Sequence, residues 1–507
     1  MDLYRSRTAV ESDFWYQSSQ WRQTPRGRVH DPRAHPSVGR PARVKLGFMT
    51  DLLLTHGYFL LEDEKEQEIM KPYPPLGLLY VSAYLRRAGF DVEVFDSTFA
   101  TPTDLANRLE LGSGVLGVYT NLVTRSAVLR IVAKAKACGW TVVLGGPESA
   151  NYPGEYLARG ADVVVAGEGE LTMAELLPAL SQRGARRLHG IRGAAFLDET
   201  GQLVVSEPRP QIADLDELPW PDRDRIDISR YVQVWREHHG QGSVNLITAR
   251  GCPYKCRWCS HAVFGFTHRR RSHIDCADEL QHIVAAYAPD QVWYADDVFT
   301  IHHRWLFNYA SELRRRNLRV PFETISRADR MMKEEVLATL ADMGCWRIWI
   351  GSESGSQRLL DGMERGVTVE QVQWATQAAK RHGIQVGMFL MWGYEGETFE
   401  DIEATVQHVT RADPDVFFTT VAYPIKNTAY YAEVEGRVSL PADWADVTDR
   451  DAVIAGRRPR AYYGLADRWL SSAVEAARVE TSDPSRARAA SETAALARQA
   501  LLTWPTS

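Results

Sequence analysis

Nowhere in the 507 residues does an apolar run approach the roughly 18 residues that a membrane-crossing helix requires. The first forty residues are polar and rich in arginine, without the apolar centre of a secretion signal. Cysteine is scarce, six in all, and three of the six crowd into positions 252–259. So few and so unevenly placed, they do not make a disulfide framework and fit reduced thiols in the cytoplasm. Neither sign of charge dominates: 59 Lys and Arg against 65 Asp and Glu leave a formal charge of -6, which argues against a general nucleic-acid binder. With 45% apolar and 24% charged residues, neither disorder nor a fibrous repeat is indicated.

A chain of this length exceeds what one hydrophobic core serves, so two to four domains are expected. Residues 1–42, with their Arg, Pro and His and an aromatic knot at Phe14, Trp15, Tyr16 and Trp21, cannot build a core and read as a leader or a strap over a domain. Beyond them, short apolar runs at 44–49, 91–96, 115–120, 141–146 and 162–167 alternate with amphipathic stretches at 76–87, 125–138 and 170–180. That alternation predicts a parallel sheet covered on both faces, with ligands at the carboxyl ends of the strands. Gly145, Gly146, Gly167 and Glu168 fall at those ends, and glycine there lets a ligand approach the backbone. A hairpin at 194–205 turns at Thr200 and Gly201, and 211–242, stiffened by Pro219 and Pro221, reads as a linker.

A second alternation begins at 243, with strands predicted at 244–248, 291–295, 322–325, 347–350, 386–390 and 416–421. Six such units suit a partial barrel, whose catalytic groups gather where the strands end. Asp296 and Asp297, Ser326 and Arg327, Gly351 and Glu353, and the stretch 392–396 fall at successive ends. Arg269, Arg270 and Arg271 form a basic run read as a solvated face, with a grip on a substrate anion as the alternative. Cys138, Cys276 and Cys345 read as buried structural thiols. Helical patterns at 465–478 and 486–502 predict a tail that crosses the barrel mouth or joins a dimer.

Cys252, Cys256 and Cys259 are spaced C-x3-C-x2-C. Four cysteines saturate a four-iron cluster, so three leave one iron open to another ligand. The alternative is a zinc knuckle, with His261 or His268 as the fourth ligand. Trp258 precedes the last cysteine, and C-x3-C-x-aromatic-C resembles the radical S-adenosylmethionine superfamily. The resemblance implies a 4Fe-4S cluster on Cys252, Cys256 and Cys259, with S-adenosylmethionine on the open iron and cleaved to a 5′-deoxyadenosyl radical. It implies that the main chain of Trp258 lies near the adenine and that Glu353, in a G-x-E-S-G segment, helps hold the ribose or amino group. Arg327 could pair with the carboxylate, and Asp296, Ser326 and Gly351 join the same site. After the sixth strand the family often shows a P-G-T-like turn, whereas this chain runs from Tyr423 to Thr428 without it.

The stretch 74–89, the glycine pair with Pro147, and 162–170 resemble the cobalamin-binding domain that precedes many of these enzymes. The D-x-H-x-x-G sequence that supplies a cobalt ligand elsewhere is absent: Thr50, Asp51 and then His56 and Gly57 follow the first predicted strand at the wrong spacing. The resemblance thus implies cobalamin without that ligand, or a domain that keeps the fold and binds nothing. The expected α/β architecture is a Rossmann-like cobalamin-type domain at 43–210, a linker at 211–242, a partial (β/α)6 radical S-adenosylmethionine barrel at 243–428 and a helical region at 429–507. The expected activity is radical C-methylation of a small-molecule substrate with cobalamin, served by a reductase or a flavodoxin- or ferredoxin-type electron donor. Its rivals are oxidative cyclisation or ring rearrangement, dehydration with an empty cobalamin fold, and a non-catalytic zinc scaffold.

Overall fold

The computed structural model of the protein describes residues 50–181, 188–261 and 263–505. The leader at 1–42 and the strand expected at 44–49 lie outside the described residues. The first described strand is β1 (Leu52–His56), in a stretch read above as the loop after an earlier strand. All five of its residues are buried, because both faces of a central parallel strand are covered.

β1, β2 (Val92–Val94), β3 (Val115–Tyr119), β4 (Thr141–Gly145) and β5 (Val163–Val165) run parallel in the order β2-β1-β3-β4-β5. The hairpin β6 (Ala194–Leu197) and β7 (Leu203–Val205) adds two antiparallel strands beside β5. Side-chain alternation divides the core. Leu52, Leu54, Val143 and Val163 pack toward the helices Leu76–Arg87 and Gly169–Leu180. Leu53, Leu116, Val142 and Leu144 pack toward Arg125–Ala137 and Pro153–Ala158 on the other side. This doubly wound order reverses between β1 and β3, and ligands of such sheets sit at the carboxyl edge by that switch point.

The second sheet is parallel throughout, in the order β8 (Ser243–Leu246), β11 (Gln291–Tyr294), β12 (Phe322–Ser326), β13 (Cys345–Glu353), β14 (Gln385–Trp392) and β15 (Val416–Val421). Between β8 and β11, the two-residue strands β9 (Ala249–Arg250) and β10 (Arg269–Arg270) pair antiparallel and pinch off a loop. Val292, Ile348, Ile350, Val386 and Met388 face the surrounding helices. Trp349, Phe389 and Phe418 lie on the opposite face, stacked across three strands with centroids 5.1 Å and 5.4 Å apart. Gly387 permits this, since a Cβ there would lie 2.3 Å from the Trp349 ring. The C-terminal helices Arg460–Val479 and Pro484–Leu502 cover the flank formed by β14, β15 and the helix Phe399–Ala412, through Trp392, Ile402, Val406, Tyr463 and Trp469.

The segment expected as a linker carries the helix Ile228–His239, whose Ile228 and Val232 enter the barrel core. Asp222 holds Arg86 and Ser82 of the first domain. Tyr231 reaches Asp96 and Thr98, and Trp235 donates to Pro72 O. The basic run is not a solvated face. Arg271 is buried against Asp275 and Glu279, Arg270 pairs with Asp296, and Arg269 pairs with Glu168. Burying a guanidinium demands a paired carboxylate, and each finds one.

Glu279 binds both Arg223 and Arg271 with its side chain wholly buried. Glu279→Gln leaves Arg223 without a carboxylate and Arg271 with Asp275 alone; it is expected to cost about 3–5 kcal/mol, read as a lowered midpoint in denaturant unfolding.

Candidate functional site

The loop pinched off by β9 and β10 carries the cysteines at the carboxyl end of β8. It begins at Gly251, with φ at +85° and no room for a side chain: a Cβ would lie 2.3 Å from Thr267 O. Its middle is pinned at both sides of the barrel mouth, by Arg257 N–H to Met363 O (3.1 Å) and Tyr430 N–H to Arg257 O (2.9 Å). Trp258 packs partly buried beside Leu359, Met363, Tyr394 and Tyr430. All three cysteines are free thiols. Burial raises the Cys252 and Cys256 thiols; Cys259, exposed on the loop, is raised as well, by the crowding around its sulfur and by its neighbours Cys256 and Cys252.

Two guanidinium groups approach the same sulfur, with Arg327 Nη1 and Arg365 Nη1 each 3.9 Å from Cys256 Sγ. Arg327 is otherwise occupied: Nε donates to Asp329 (2.8 Å), Nη2 donates to Arg365 O (2.7 Å), and its plane lies 3.6 Å from the Tyr254 ring. Within the protein alone, Nε and Nη2 of Arg327 are thus engaged, while Nη1 faces the Cys256 sulfur. Arg365 donates to Gly351 O (2.8 Å) and lies 3.7 Å from Glu353. Glu353 sits in the left-handed region with φ at +62°, at the bulge where β13 meets β14. Burial pushes its carboxyl up to about 8, against the pull of Arg327. Gly351 leaves space for this pair, since a Cβ would lie 2.6 Å from Glu353 Oε1. Ser326 is buried and shares a hydrogen bond with the Thr300 hydroxyl.

Asp296 accepts N–H groups from Thr248 (2.7 Å) and Ala249 (3.1 Å) and pairs with Arg270, so it braces the start of the loop. The exposed carboxylate is its neighbour Asp297; it accepts from the Gly251 backbone, and the crowding of its carboxyl end and then Asp296 push it up to about 6. Its charge reaches Cys252 and Cys259. Glu168 is likewise spent, on Arg250 (2.8 Å), Arg269 (2.7 Å) and Ile212 N–H (2.8 Å).

At the edge of the first sheet, Gly146 has φ at +107° and a Cβ there would lie 2.2 Å from Thr120 O, whereas a Cβ at Gly145 would meet nothing. Gly145 thus presents bare backbone beside open space. Gly167 turns toward the loop, with Val263 O the nearest atom to its absent Cβ. His56 is buried and bonded to Asp96 (3.0 Å), so it is not a free imidazole at that edge. The carboxyl edges of the two sheets meet: Asn427 binds Asn151 (3.2 Å), and Lys426 lies 5.0 Å from the Tyr152 ring.

The donor set fits an iron-sulfur cluster. One zinc ion needs its ligands gathered round a single point, and among the described residues no three His, Cys, Asp or Glu side chains gather so. A cube places each thiolate on a separate iron. His261 bonds Gly265 O and packs on Phe266, while His268 packs beside His302. The bare backbone at Gly145 fits a large flat cofactor against the first sheet. The cysteine spacing marked the loop in the sequence. Arg365, on a turn after a short helix, carried no periodic signal, and Asp297 was separable from Asp296 only by which one the fold had already used.

Residues 246–409 match the family model described as the radical SAM superfamily, and residues 68–177 match the one described as a B12 binding domain. An uncharacterized methyltransferase of Pyrococcus horikoshii is 29% identical over 392 residues, covering 75% of this chain and 83% of its own. The anaerobic magnesium-protoporphyrin IX monomethyl ester cyclase of Rubrivivax gelatinosus is 27% identical over 386 residues, covering 74% of this chain and 68% of its own. Among solved structures, the radical S-adenosylmethionine methyltransferase TsrM from Kitasatospora setae, with cobalamin and a [4Fe-4S] cluster bound, superposes with a TM-score of 0.66 at 20% identity. That match covers 89% of this chain and all of TsrM, and it shows a shared fold.

Cys256→Ala is expected to lose most of the iron bound on anaerobic reconstitution while circular dichroism stays unchanged. Glu353 makes a second prediction. Its folded pKa of about 8 lies above the ordinary carboxylate value, so its contribution to stability is fully present at pH 4 and is lost as pH rises toward 8. Ligand-free Glu353→Gln is therefore expected to match the wild type in thermal midpoint near pH 4 and to exceed it at pH 8.

Proposed function

We propose that this chain, which belongs to the radical S-adenosylmethionine superfamily and carries a B12-binding domain ahead of its barrel, methylates an unactivated carbon of a small-molecule substrate. One observation carries the reading: a loop of three free thiols stands at the carboxyl end of the first barrel strand, where the carboxyl edge of a doubly wound sheet meets it. When bound, the 4Fe-4S cluster and S-adenosylmethionine supply a 5′-deoxyadenosyl radical that takes a hydrogen atom from carbon, and cobalamin supplies the methyl group.

The protein's own part is to hold and orient. Cys252, Cys256 and Cys259 would hold the cluster, with Arg365 and Arg327 donating toward one of its sulfurs. Glu353, a buried carboxyl on a bulge, is placed to accept from a ribose hydroxyl or an ammonium, and Asp297 offers a second carboxylate beside the loop. Gly145 and Gly146 would let a corrin lie flat against the strand ends, and His56, already bonded to Asp96, would not reach the cobalt. Trp349, Phe389 and Phe418 form an apolar wall on the inner face of the barrel, below Gly351 and Glu353 in strand register. Its Trp349 and Phe389 part would shield one side of a radical from water, while Phe418 at 53% exposure carries the wall out toward solvent.

Free thiols and an oxygen-sensitive cluster fit a reducing cytoplasm, with a flavodoxin- or ferredoxin-type protein as electron donor. No helix among the described residues is long and apolar enough to cross a membrane. A domain at 43–210, a connector at 211–242, the barrel at 243–428 and a helical region from 429 complete the reading. The second reading is oxidative cyclisation, favoured by the 27% identity to a cyclase.

Protein produced anaerobically with hydroxocobalamin is expected to retain corrinoid, seen by its visible absorption. With S-adenosylmethionine labelled in its methyl group, the product is expected to carry the label. A product that has lost hydrogen without gaining label favours the cyclase, and iron without any corrinoid sinks both readings.

A further inference from the structure

Resting on the cluster assignment above, the geometry points to Arg365, assisted by Arg327, as a positioning residue that sets the reduction potential of the cluster held through Cys256. Both guanidinium groups lie 3.9 Å from the Cys256 sulfur, and both are buried, at 6% and 2% exposure. Hydrogen bonds and positive charge beside a cluster sulfur draw density from the thiolate and favour the state with one more electron. The effect is strong where water is excluded, because the local dielectric is low.

The two arginines are not equivalent. Arg327 is neutralised by Asp329 at 2.8 Å. Arg365 has no carboxylate at hydrogen-bond distance: Glu353 stands 3.7 Å away, and the Nε of Arg365 has no hydrogen-bond partner. Its remaining bond, Nη2 to Gly351 O at 2.8 Å, is to a neutral carbonyl. Burying a cation this poorly matched costs stability unless something anionic arrives, and a cluster carrying three thiolates is anionic. The chain turns sharply around it: Glu364, a non-glycine residue, is held in the left-handed region at φ +52°, and Gly366 takes φ +64°, which only glycine adopts freely. By contrast Arg257, on the cysteine loop itself, is turned outward to Glu364 and Glu433.

The test is an EPR-monitored redox titration of the reconstituted full-length protein without S-adenosylmethionine, with dithionite supplying the electron through mediators. Arg365→Gln, at wild-type iron and sulfide content, is expected to make reduction at least tenfold less favourable, a shift of the midpoint by about 59 mV to more negative values. Arg365→Lys keeps the charge but cannot span Gly351 O and Cys256 Sγ together, so it is expected to recover part of that shift. An unmoved midpoint in Arg365→Gln at full iron content overturns the inference. If Arg365→Gln does not hold iron, Arg365→Lys decides, since it must still shift negative and an unmoved midpoint there overturns the proposal equally. Failure of the wild type to bind about four irons would instead sink the cluster assignment on which the inference rests.

Discussion

Arginine side chains without water must meet carboxylates, and that requirement fixes how the two halves of this molecule sit. Arg223, from the connector, shares Glu279 with Arg271, from the end of the cysteine loop. Arg250, two residues ahead of Cys252, divides its fork between Glu168 and Glu170 of the first domain. Each pair is nearly dry, so slippage of one sheet against the other would leave a charge buried alone, a penalty far larger than that of losing a surface ion pair. The loop that carries the thiols is thereby fastened to the first domain at its root.

The same network accounts for residues that looked like ligands and are braces. Asp296 and Glu168 stand at strand ends, where a cofactor is expected, and each accepts from backbone N–H groups and arginines of the protein itself. What remains unspent is more informative. Asp297, Glu353 and Arg365 are the charged groups near the cysteines whose partners do not match them. Carboxyls shifted by desolvation, as those of Asp297 and Glu353 are, gather where function is performed.

Much of this was legible in the linear order. Ten of the strands expected from apolar runs appear within a few residues of their predicted spans, because parallel strands buried on both faces read as short continuous Val and Leu runs. The helix Leu76–Arg87 appears at its predicted limits. The stretch 211–242 was less legible: its acidic and proline-rich start hides that Ile228 and Val232 join the barrel core, a helix short enough to be masked by the residues before it. The basic run at 269–271 looked solvated because charge runs usually are, and only the positions of Glu168, Asp275, Glu279 and Asp296 make it interior.

The spacing of Cys252, Cys256 and Cys259 by itself determined that three thiolates would stand on one loop, since covalent geometry keeps residues so near in the chain within reach of a single cluster. It also determined the alternation of strand and helix, through hydrophobic period alone. Tertiary structure decided everything that depends on distance in the chain: which of two adjacent aspartates faces solvent, that Arg327 and Arg365 converge on one sulfur, and that the glycine edge of the first sheet meets the barrel mouth. Those outcomes depend on partners supplied by remote segments, and no local pattern encodes which partner that will be.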